Sequence, residues 1–434
     1  MKKTILFSLI FLFPIVLGSS CSKQQDAGTL GLQPTHEEHS VSLEEARIEL
    51  LDFLSHCYGE TRSAERQIAE CFTISGVETR SDANLGAPPI HVFNFVDENG
   101  YALVSGDDRT PDVLALIESG SFSLEQPQDI REMILLKNID TYCRILEHLP
   151  VVDASGQVRE YEEYGPYIAP AFITRDGEHD YQLTHYGQQL YCNWGQGSPF
   201  NNNCYVSGTT THAKAGCVAI AVAQIMFHWS KNATYGGEYY DWRKMSYVTN
   251  KSIIPMDEET WPMIQRFVRA LGDSNNLDMD YGENVSLAYT SNASRTFSHF
   301  GFYSGGSLEP FDASTLKENI TSGPVLVRGN DIRRTYDSGL VSYGSGHCWV
   351  VDKVITRSMI PNEGEEDLEM PTEYYLHVNW GLDGWHNGYY LSPNFNMGNW
   401  GASFVTRTVV EGTPSLYQYN LEMNVGIRAN GDTL

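Results

Sequence analysis

The hydrophobic and polar positions divide the chain into an apolar leader, a first folded unit and a larger second unit. Residues 4–17 are almost wholly apolar and follow Lys2 and Lys3. This pattern is typical of an export signal, and the apolar stretch is too short to span a bilayer as a stable helix. We therefore expect residues 1–20 to be a signal peptide and the polar residues 21–40 to be a flexible tether.

The first unit shows helical periodicity followed by strand patterns. Ser42 and Glu45 have the spacing of a capping box, and apolar residues at Ile48, Leu51 and Leu54 continue one helical face. The β-rich runs 91–96 and 100–105 are joined by Asp-Glu-Asn-Gly, which predicts a hairpin, and 113–117 predicts a third strand. A helical stripe over 129–149 closes the unit. Residues 150–170, rich in Gly, Pro, Tyr and Glu, predict a linker.

The second unit is helical first and β-rich afterwards. An apolar helix is predicted over 217–229 and another near 259–271, followed by strands near 325–327, 348–355, 374–380 and 388–391. The sequence therefore predicts an α+β fold of two units: residues 41–170, including the linker, and residues 171–434. The Tyr- and His-rich stretch 176–193 shows no processing site that can be read directly.

Charge narrows the range of partners. The 434 residues carry 29 Lys and Arg against 55 Asp and Glu, a net charge of -26. This charge repels phosphate backbones and anionic membranes, so we expect no nucleic-acid partner. We also expect no cofactor and no metal. Zinc binding through His212, Cys217 and His228 has a spacing that fits no tetrahedral site.

The eight cysteines do not form an obvious disulfide framework. Cys21 follows Leu-Gly-Ser-Ser, which resembles a relaxed bacterial lipobox, so we expect Cys21 to be acylated. Gly18 stands where an aliphatic residue is usual, which leaves ordinary signal cleavage as the alternative. Cys192 and Cys204 flank one loop and have a spacing that allows a disulfide. The cysteines of the first unit read as buried thiols: Cys57, Cys71, Cys143.

The segment around Cys217 carries the strongest chemical signal. Gly216 permits a tight entry into a helix of small and apolar residues, and Cys217 occupies its first turn. The amide groups and dipole at a helix N-terminus stabilise an anion, which lowers the pKa of a thiol and makes it a better nucleophile. An inert buried cysteine remains the simpler reading unless other residues supply a base.

Three further segments supply the other groups that thiol chemistry needs. A Gly/Ser-rich loop feeds His347 into the start of a strand, as a general base requires. Asn379 can accept the imidazole N–H, and Trp380 can shield that bond from water. Gln196, in an irregular segment before the Cys217 helix, has an amide that can donate to an oxyanion. The order Gln, Cys, His, Asn-Trp is more informative than any single residue.

These segments resemble the streptopain family of bacterial cysteine peptidases, in the papain-like clan. The matching motifs are W-x-Q-x-x-P-F-N at 194–201, G-C-V-A at 216–219, A-Q-I-M at 223–226, G-H at 346–347 and V-N-W-G at 378–381. The run G-Y-A-L-V-S-G-D-D-R at 100–109 resembles the family's prosegment, which covers the active site and keeps the zymogen latent.

The resemblance implies a papain-like catalytic domain, with a helical subdomain and an antiparallel β subdomain, and an inhibitory prosegment before it. It implies Cys217 as nucleophile, His347 as base and acid, and Gln196 in the oxyanion hole. It places Asn379 and Trp380 around the imidazole. The expected substrates are proteins and peptides, and the expected location is outside the cell or at the cell envelope, with membrane contact only through Cys21.

Three other classes of protein agree with fewer of these sequence features. Bacteriocin-processing Cys-His peptidases often adjoin membrane segments, and no further long apolar run follows the leader in this sequence. Transglutaminase-like acyl transfer shares the thiolate and imidazole but passes the acyl group to an amine. A non-catalytic adhesin with a papain-like fold is disfavoured because every catalytic residue type is present.

Overall fold

The computed structural model describes residues 40–63, 66–74, 90–108, 111–123, 151–152, 158–159, 180–335, 341–365, 370–392 and 419–429. The expected signal peptide, Cys21, nearly all of the tether and the expected helix over 129–149 lie outside the described residues. Within the expected linker, two short strands pair with each other, β5 (Val151–Val152) and β6 (Val158–Arg159). In the part of the chain that is described, no helix is long and apolar enough to cross a membrane.

The first unit is one helix packed on a four-stranded antiparallel meander. Helix α1 begins with the predicted capping box, in which Ser42 N donates to Glu45 at 2.8 Å and Glu45 N donates back to Ser42 Oγ at 3.3 Å. The predicted hairpin and third strand are confirmed, whereas β1 was not predicted. The elements are α1 (Leu43–Ser63), β1 (Ile68–Ile74), β2 (Ile90–Phe95), β3 (Tyr101–Ser105) and β4 (Val113–Ile117).

The second unit contributes the remaining helices of the described residues. The predicted apolar helix and the predicted helix near 259–271 are both present, and the other three were not predicted. The helices are α2 (Cys217–Trp229), α3 (Trp242–Met245), α4 (Thr260–Leu271), α5 (Ala293–His299) and α6 (Ala313–Ile320).

The strands of both units join in one antiparallel sheet. The strands of the second unit are β7 (Tyr181–Gly187), β8 (Ala233–Tyr235), β9 (Glu238–Tyr240), β10 (Ser304–Pro310), β11 (Val325–Thr335), β12 (Val341–Met359), β13 (Thr372–Asn379), β14 (Gly388–Ser392) and β15 (Tyr419–Arg428). The order of the sheet is β1-β2-β3-β4-β14-β13-β12-β11-β15-β10, with β7 paired to β12, while β8 and β9 form a separate hairpin. The α+β class with an antiparallel sheet is thus confirmed.

The sheet of the second unit buries a different core on each face. One core surrounds α2, whose residues from Val218 to Met226 are all buried, and lies wholly within the second unit. The other core is shared between the units: Phe53 of α1 packs on Tyr375 with ring centroids 4.8 Å apart. Residues of β4 and β14 belong to this shared core. Burial of apolar surface therefore holds the first unit against the second.

The cysteines depart from two expectations. Cys71 is disulfide-bonded rather than a free buried thiol. Cys192 and Cys204 are both free and buried, so the disulfide that their spacing allowed is not formed. Cys57 is a free buried thiol as expected.

Candidate active site

Cys217 is the first residue of α2. Gly216 precedes it with φ of 93°, and a Cβ at that position would lie 2.9 Å from Met279 Sδ, so only glycine fits this entry. No side chain caps the helix. The backbone amides of the first turn are therefore open to the sulfur, as the sequence predicted.

The surroundings of Cys217 have two opposing effects on the pKa of its thiol. Burial raises the pKa of the thiol, and backbone hydrogen bonds from Cys348, Val218 and Cys217 itself lower it by less. The net effect raises the pKa of Cys217, opposite in direction to the effect of the helix N-terminus.

His347 lies in β12 beside two neighbouring indoles, whose ring centroids are 5.2 Å apart. Its ring stacks near Trp380, with centroids 6.0 Å apart, and near Trp349, with centroids 6.2 Å apart. Its Nε2 donates to the carbonyl oxygen of Trp380 at 3.0 Å. Because a carbonyl only accepts, this bond assigns the proton to Nε2 and leaves Nδ1 with the lone pair in the neutral ring. Burial lowers the pKa of His347 to about 4, against the opposing effect of the Trp380 carbonyl.

Asn379 is fully buried but serves a different group from the one expected. Its Nδ2 donates to the carbonyl oxygen of Cys192 at 2.7 Å, and its Oδ1 accepts from Gln224 Nε2 at 2.9 Å and from Gly381 N at 3.1 Å. The expected acceptor role toward the imidazole is taken in this structure by the Trp380 carbonyl. Through these hydrogen bonds, Asn379 instead connects the end of β13 to α2 and to the loop that precedes α2.

Gln196 lies in the loop that runs beside the start of α2. Its carbonyl oxygen accepts from Ala215 N at 2.9 Å, two residues before Cys217. Its side chain is half-buried. The loop thus carries this amide close to the chain segment that enters the cysteine helix, a placement compatible with the oxyanion role.

Two residues near the site had no role in the sequence analysis. Trp349 lies beside His347 and packs against Trp380, and its position two residues along the same strand face was the available signal. Gln224 is fully buried on α2 and donates to the carbonyl oxygens of Cys192 and Trp194 at 3.2 and 3.3 Å. A polar residue inside an otherwise apolar helix was the signal for Gln224.

Comparisons with known proteins agree with this geometry. The Peptidase C10 family model matches residues 194–390, and the Spi protease inhibitor model matches residues 38–143. The chain is 25% identical over 339 residues to the thiol protease/hemagglutinin PrtT of Porphyromonas gingivalis, covering 71% of this chain and 34% of PrtT. It is 23% identical over 350 residues to streptopain of Streptococcus pyogenes, covering 72% of this chain and 76% of streptopain.

The match to PrtT spans about a third of that protein's length, 34%. A solved fragment of prointerpain A from Prevotella intermedia superposes with a TM-score of 0.45 and 16% identity, covering 84% of this chain and 100% of the fragment. The inhibitor match falls on α1 and the β1–β4 meander, and the peptidase match contains Gln196, Cys217, His347, Asn379 and Trp380. The chain therefore contains a peptidase C10 domain, the domain of streptopain-type cysteine peptidases, over residues 194–390, with a Spi-type inhibitor domain ahead of it.

Proposed function

We propose that this protein is an exported cysteine endopeptidase, made as a latent zymogen, in which Cys217 is the nucleophile and His347 the general base and acid. The observation that carries the assignment is the placement of Cys217 at the uncapped N-terminus of buried helix α2. A thiol there is activated by amides and by the helix dipole once it is exposed to water and to a base.

The proposed reaction follows from these groups. His347 Nδ1 takes the proton of the Cys217 thiol, and the sulfur attacks the carbonyl carbon of the scissile peptide bond. The backbone amide of Cys217 and the side-chain amide of Gln196 donate to the oxyanion. The imidazolium then protonates the leaving amine. Water, deprotonated by His347, hydrolyses the thioester and restores the thiol.

The Trp380 carbonyl keeps the imidazole oriented through this cycle. By holding Nε2–H at 3.0 Å, it leaves Nδ1 as the atom that exchanges the proton with sulfur. The indoles of Trp349 and Trp380 limit the access of water to that bond. Asn379 supports the same strand end through Cys192 and Gln224 and is a positioning residue in this proposal.

The electrostatics of the full chain fit a latent state. Burial raises the pKa of Cys217 and lowers that of His347 to about 4, so both shifts favour the uncharged form of each group. An active thiolate–imidazolium pair needs both shifts reversed. We propose that residues 41–170 form the inhibitory prosegment with its linker, that residues 171–434 form the peptidase domain, and that cleavage in the 150–180 region starts activation.

The test is hydrolysis of casein by the purified chain, followed together with its mobility on a gel. We expect activity to appear after a lag, as the chain is cut, and to be blocked by an epoxide thiol inhibitor. Cys217→Ala and His347→Ala should abolish hydrolysis, whereas His212→Ala, a change at an exposed histidine, should not. Full activity in either of the first two variants contradicts the mechanism, and transfer of the acyl group to an added amine in preference to water indicates acyl transfer instead.

The proposed site of action is the cell envelope, with Cys21 as a lipidated residue that carries the tether. A single acyl chain gives marginal binding, and the two chains of a bacterial lipoprotein give stable anchoring. We expect the protein to partition into the detergent phase and its Cys21→Ser variant into the aqueous phase. Recovery of unmodified protein wholly in the culture medium contradicts the anchor and leaves the peptidase assignment unaffected.

A further inference from the structure

Strand β4 is the point where the inhibitor domain joins the catalytic sheet. It pairs with β14 at Ile117 and Gly388, Leu116 and Tyr389, and Ala115 and Tyr390. The side chains along this short ladder are apolar and buried, so they give it little directional information. A slip of two residues would keep the same face inward while it moved the strand by about 7 Å.

Two carboxylates stand immediately before and after this strand. Asp112 precedes β4 and Glu118 follows it, six positions apart. An extended strand of that length places them roughly 20 Å apart. Each meets a cationic side chain of the catalytic unit, one on β12 and one on β13.

The Glu118 end is a pocket built around His377. His377 is 1% exposed, and its Nδ1 lies 2.5 Å from Asp352 Oδ1, while its Nε2 lies 3.3 Å from Glu118 Oε2. Gln189 Nε2 donates to both Glu118 oxygens, at 2.9 and 3.0 Å. A protonated imidazole has two N–H donors, so Asp352 of the catalytic unit satisfies one and the inhibitor carboxylate satisfies the other. Without Glu118, this pocket holds a buried donor that still requires an acceptor.

The Asp112 end is built around Arg357. Its Nη1 lies 2.6 Å from Asp112 Oδ1 and 3.6 Å from Glu373 Oε2, with the Arg357 and Asp112 side chains only 12% and 8% exposed. The guanidinium also lies over the ring of Tyr181, 4.3 Å from its centroid. Asp112 Oδ1 accepts from Val113 N at 2.7 Å as well, which fixes the carboxylate at the start of β4.

We propose that the edge of β14 is an exosite for an extended strand with two carboxylates six positions apart, and that Arg357 and His377 are the side chains that recognise them. The inhibitor strand from Asp112 to Glu118 is its occupant in the latent protein. The carboxylates set the register that the apolar ladder leaves open, because a slip along β14 would take one carboxylate partner away from each of the two buried cations. This inference rests on the proposed function, since it describes how the peptidase holds its inhibitor.

The test measures hydrogen–deuterium exchange in the full chain with Cys217→Ala, so that neither catalysis nor processing enters the result. Asp112→Asn and Glu118→Gln should each speed exchange of the β14 amides by about 10- to 100-fold, as expected for a lost hydrogen bond to a charged group. The double variant should exchange faster still. Glu70→Gln, a matched change at an exposed residue of β1, should leave β14 unaltered. Exchange in α2 serves as the internal reference for global unfolding.

A peptide of residues 111–120 then tests recognition in trans. Added at about 1 mM, within the range of the effective concentration of a tethered segment, it should restore slow exchange to β14 in the double variant. The same peptide with Asn and Gln at the two acidic positions should not. Wild-type exchange rates in the double variant, or equal rescue by both peptides, overturn the proposal.

Faster exchange in α2 as well would indicate that the double variant unfolds globally. In that case Gln189→Ala is measured in place of the double variant. That change leaves the inhibitor strand intact and removes the donor to both Glu118 oxygens. It should speed β14 exchange by up to about tenfold, the factor for one hydrogen bond of moderate strength. An unaltered rate overturns the proposal. Hydrolysis by the Cys217→Ala chain would contradict the catalytic assignment and leave this measurement valid.

Discussion

Nε2 of His347 donates to the carbonyl oxygen of Trp380 at 3.0 Å, so a main-chain atom orients the imidazole. The residue before it, Asn379, makes its hydrogen bonds to Cys192, Gln224 and Gly381 instead. Orientation of the ring therefore survives any side-chain change at position 380 that preserves the strand end. Shielding of the ring, in contrast, depends on the indoles of Trp349 and Trp380.

Asn379→Ala should act on stability more than on catalysis. The change leaves Gly381 N without the Asn379 acceptor and removes one hydrogen bond each from the Cys192 carbonyl and Gln224 Nε2, which keep their bond to each other. A buried group left unsatisfied costs about 1–3 kcal/mol. We expect a lower Tm and, per titrated active site, a kcat within about tenfold of wild type. Asn292→Ala, which removes a single bond to Leu277 O, is the control for stability alone. A kcat loss of 10³ or more at unchanged Tm would return the orienting role to Asn379.

Gln196→Ala should lower kcat by about 10²-fold, the usual cost of one oxyanion donor. Alkylation of Cys217 by iodoacetamide should proceed at the wild-type rate, because alkylation develops no oxyanion. Both rates are measured on the processed protein. A parallel fall of both would show that Gln196 supports the loop through which its carbonyl meets Ala215 N.

Trp349→Ala should raise the pKa of His347. Burial holds that pKa at about 4, and removal of one indole beside the ring admits water. The NMR titration of the His347 ring in the full chain should shift toward the ordinary range near 6.5. Trp385→Ala, at a tryptophan that is 50% exposed and tilted against the ring of His386, is the matched control and should leave the titration unchanged.

The stability of the latent protein should depend on pH through Glu118 and His377. Burial opposes charge on both, but Asp352 and Glu118 raise the pKa of His377 to about 10, and His377 lowers that of Glu118 to about 2. The Glu118 contribution is present above about 4.5 and lost as pH falls toward 2. The His377 contribution is complete below about 6.5 and lost as pH rises toward 10.

The pair is therefore most stabilising between about pH 4.5 and 6.5. Other groups around the pair are Gln189, Arg66, Tyr58 and Tyr389, and Lys353 lies over the ring of Tyr389. The difference in Tm between wild type and Glu118→Gln, both with Cys217→Ala, should be greatest in this window and shrink on either side. A constant difference from pH 3 to pH 10 would contradict this linkage.

Local patterns predicted much of the fold. The capping box at Ser42, the hairpin of β2 and β3, and helix α2 all arise from interactions within a few residues, which sequence spacing records directly. Strand β1 was missed because Ala, Glu and Cys interrupt its apolar positions, and it is defined by pairing with β2. Helices α5 and α6 are short and owe their stability to packing rather than to propensity.

The same distinction between local and long-range interactions applies to the candidate site. Cys217 stands out in the sequence because a helix start is a local feature. The predicted loop-to-strand transition before His347 was wrong, since β12 runs from Val341 to Met359 and pairs with β11 on both sides of His347, which therefore lies inside the strand. The pKa shifts of both groups and the hydrogen bond of Asn379 with Gln224 depend on residues far apart in the chain. The pairing of β4 with β14 could not be predicted either, because both strands have ordinary buried patterns and neither pattern specifies which strand it pairs with.

The continuity of the sheet also bears on the order in which the chain folds. Strands β2, β3 and β4 form a meander of near neighbours, so their contacts have low sequence separation and can form early. Strand β14 comes late in the chain, and most of the sequence separates it from its partner β4. Closing so long a loop is costly in conformational entropy unless the edge of β4 has already formed. The inhibitor domain then acts as a template on which the catalytic sheet nucleates, and refolding of the peptidase domain without it should be slow and prone to aggregation.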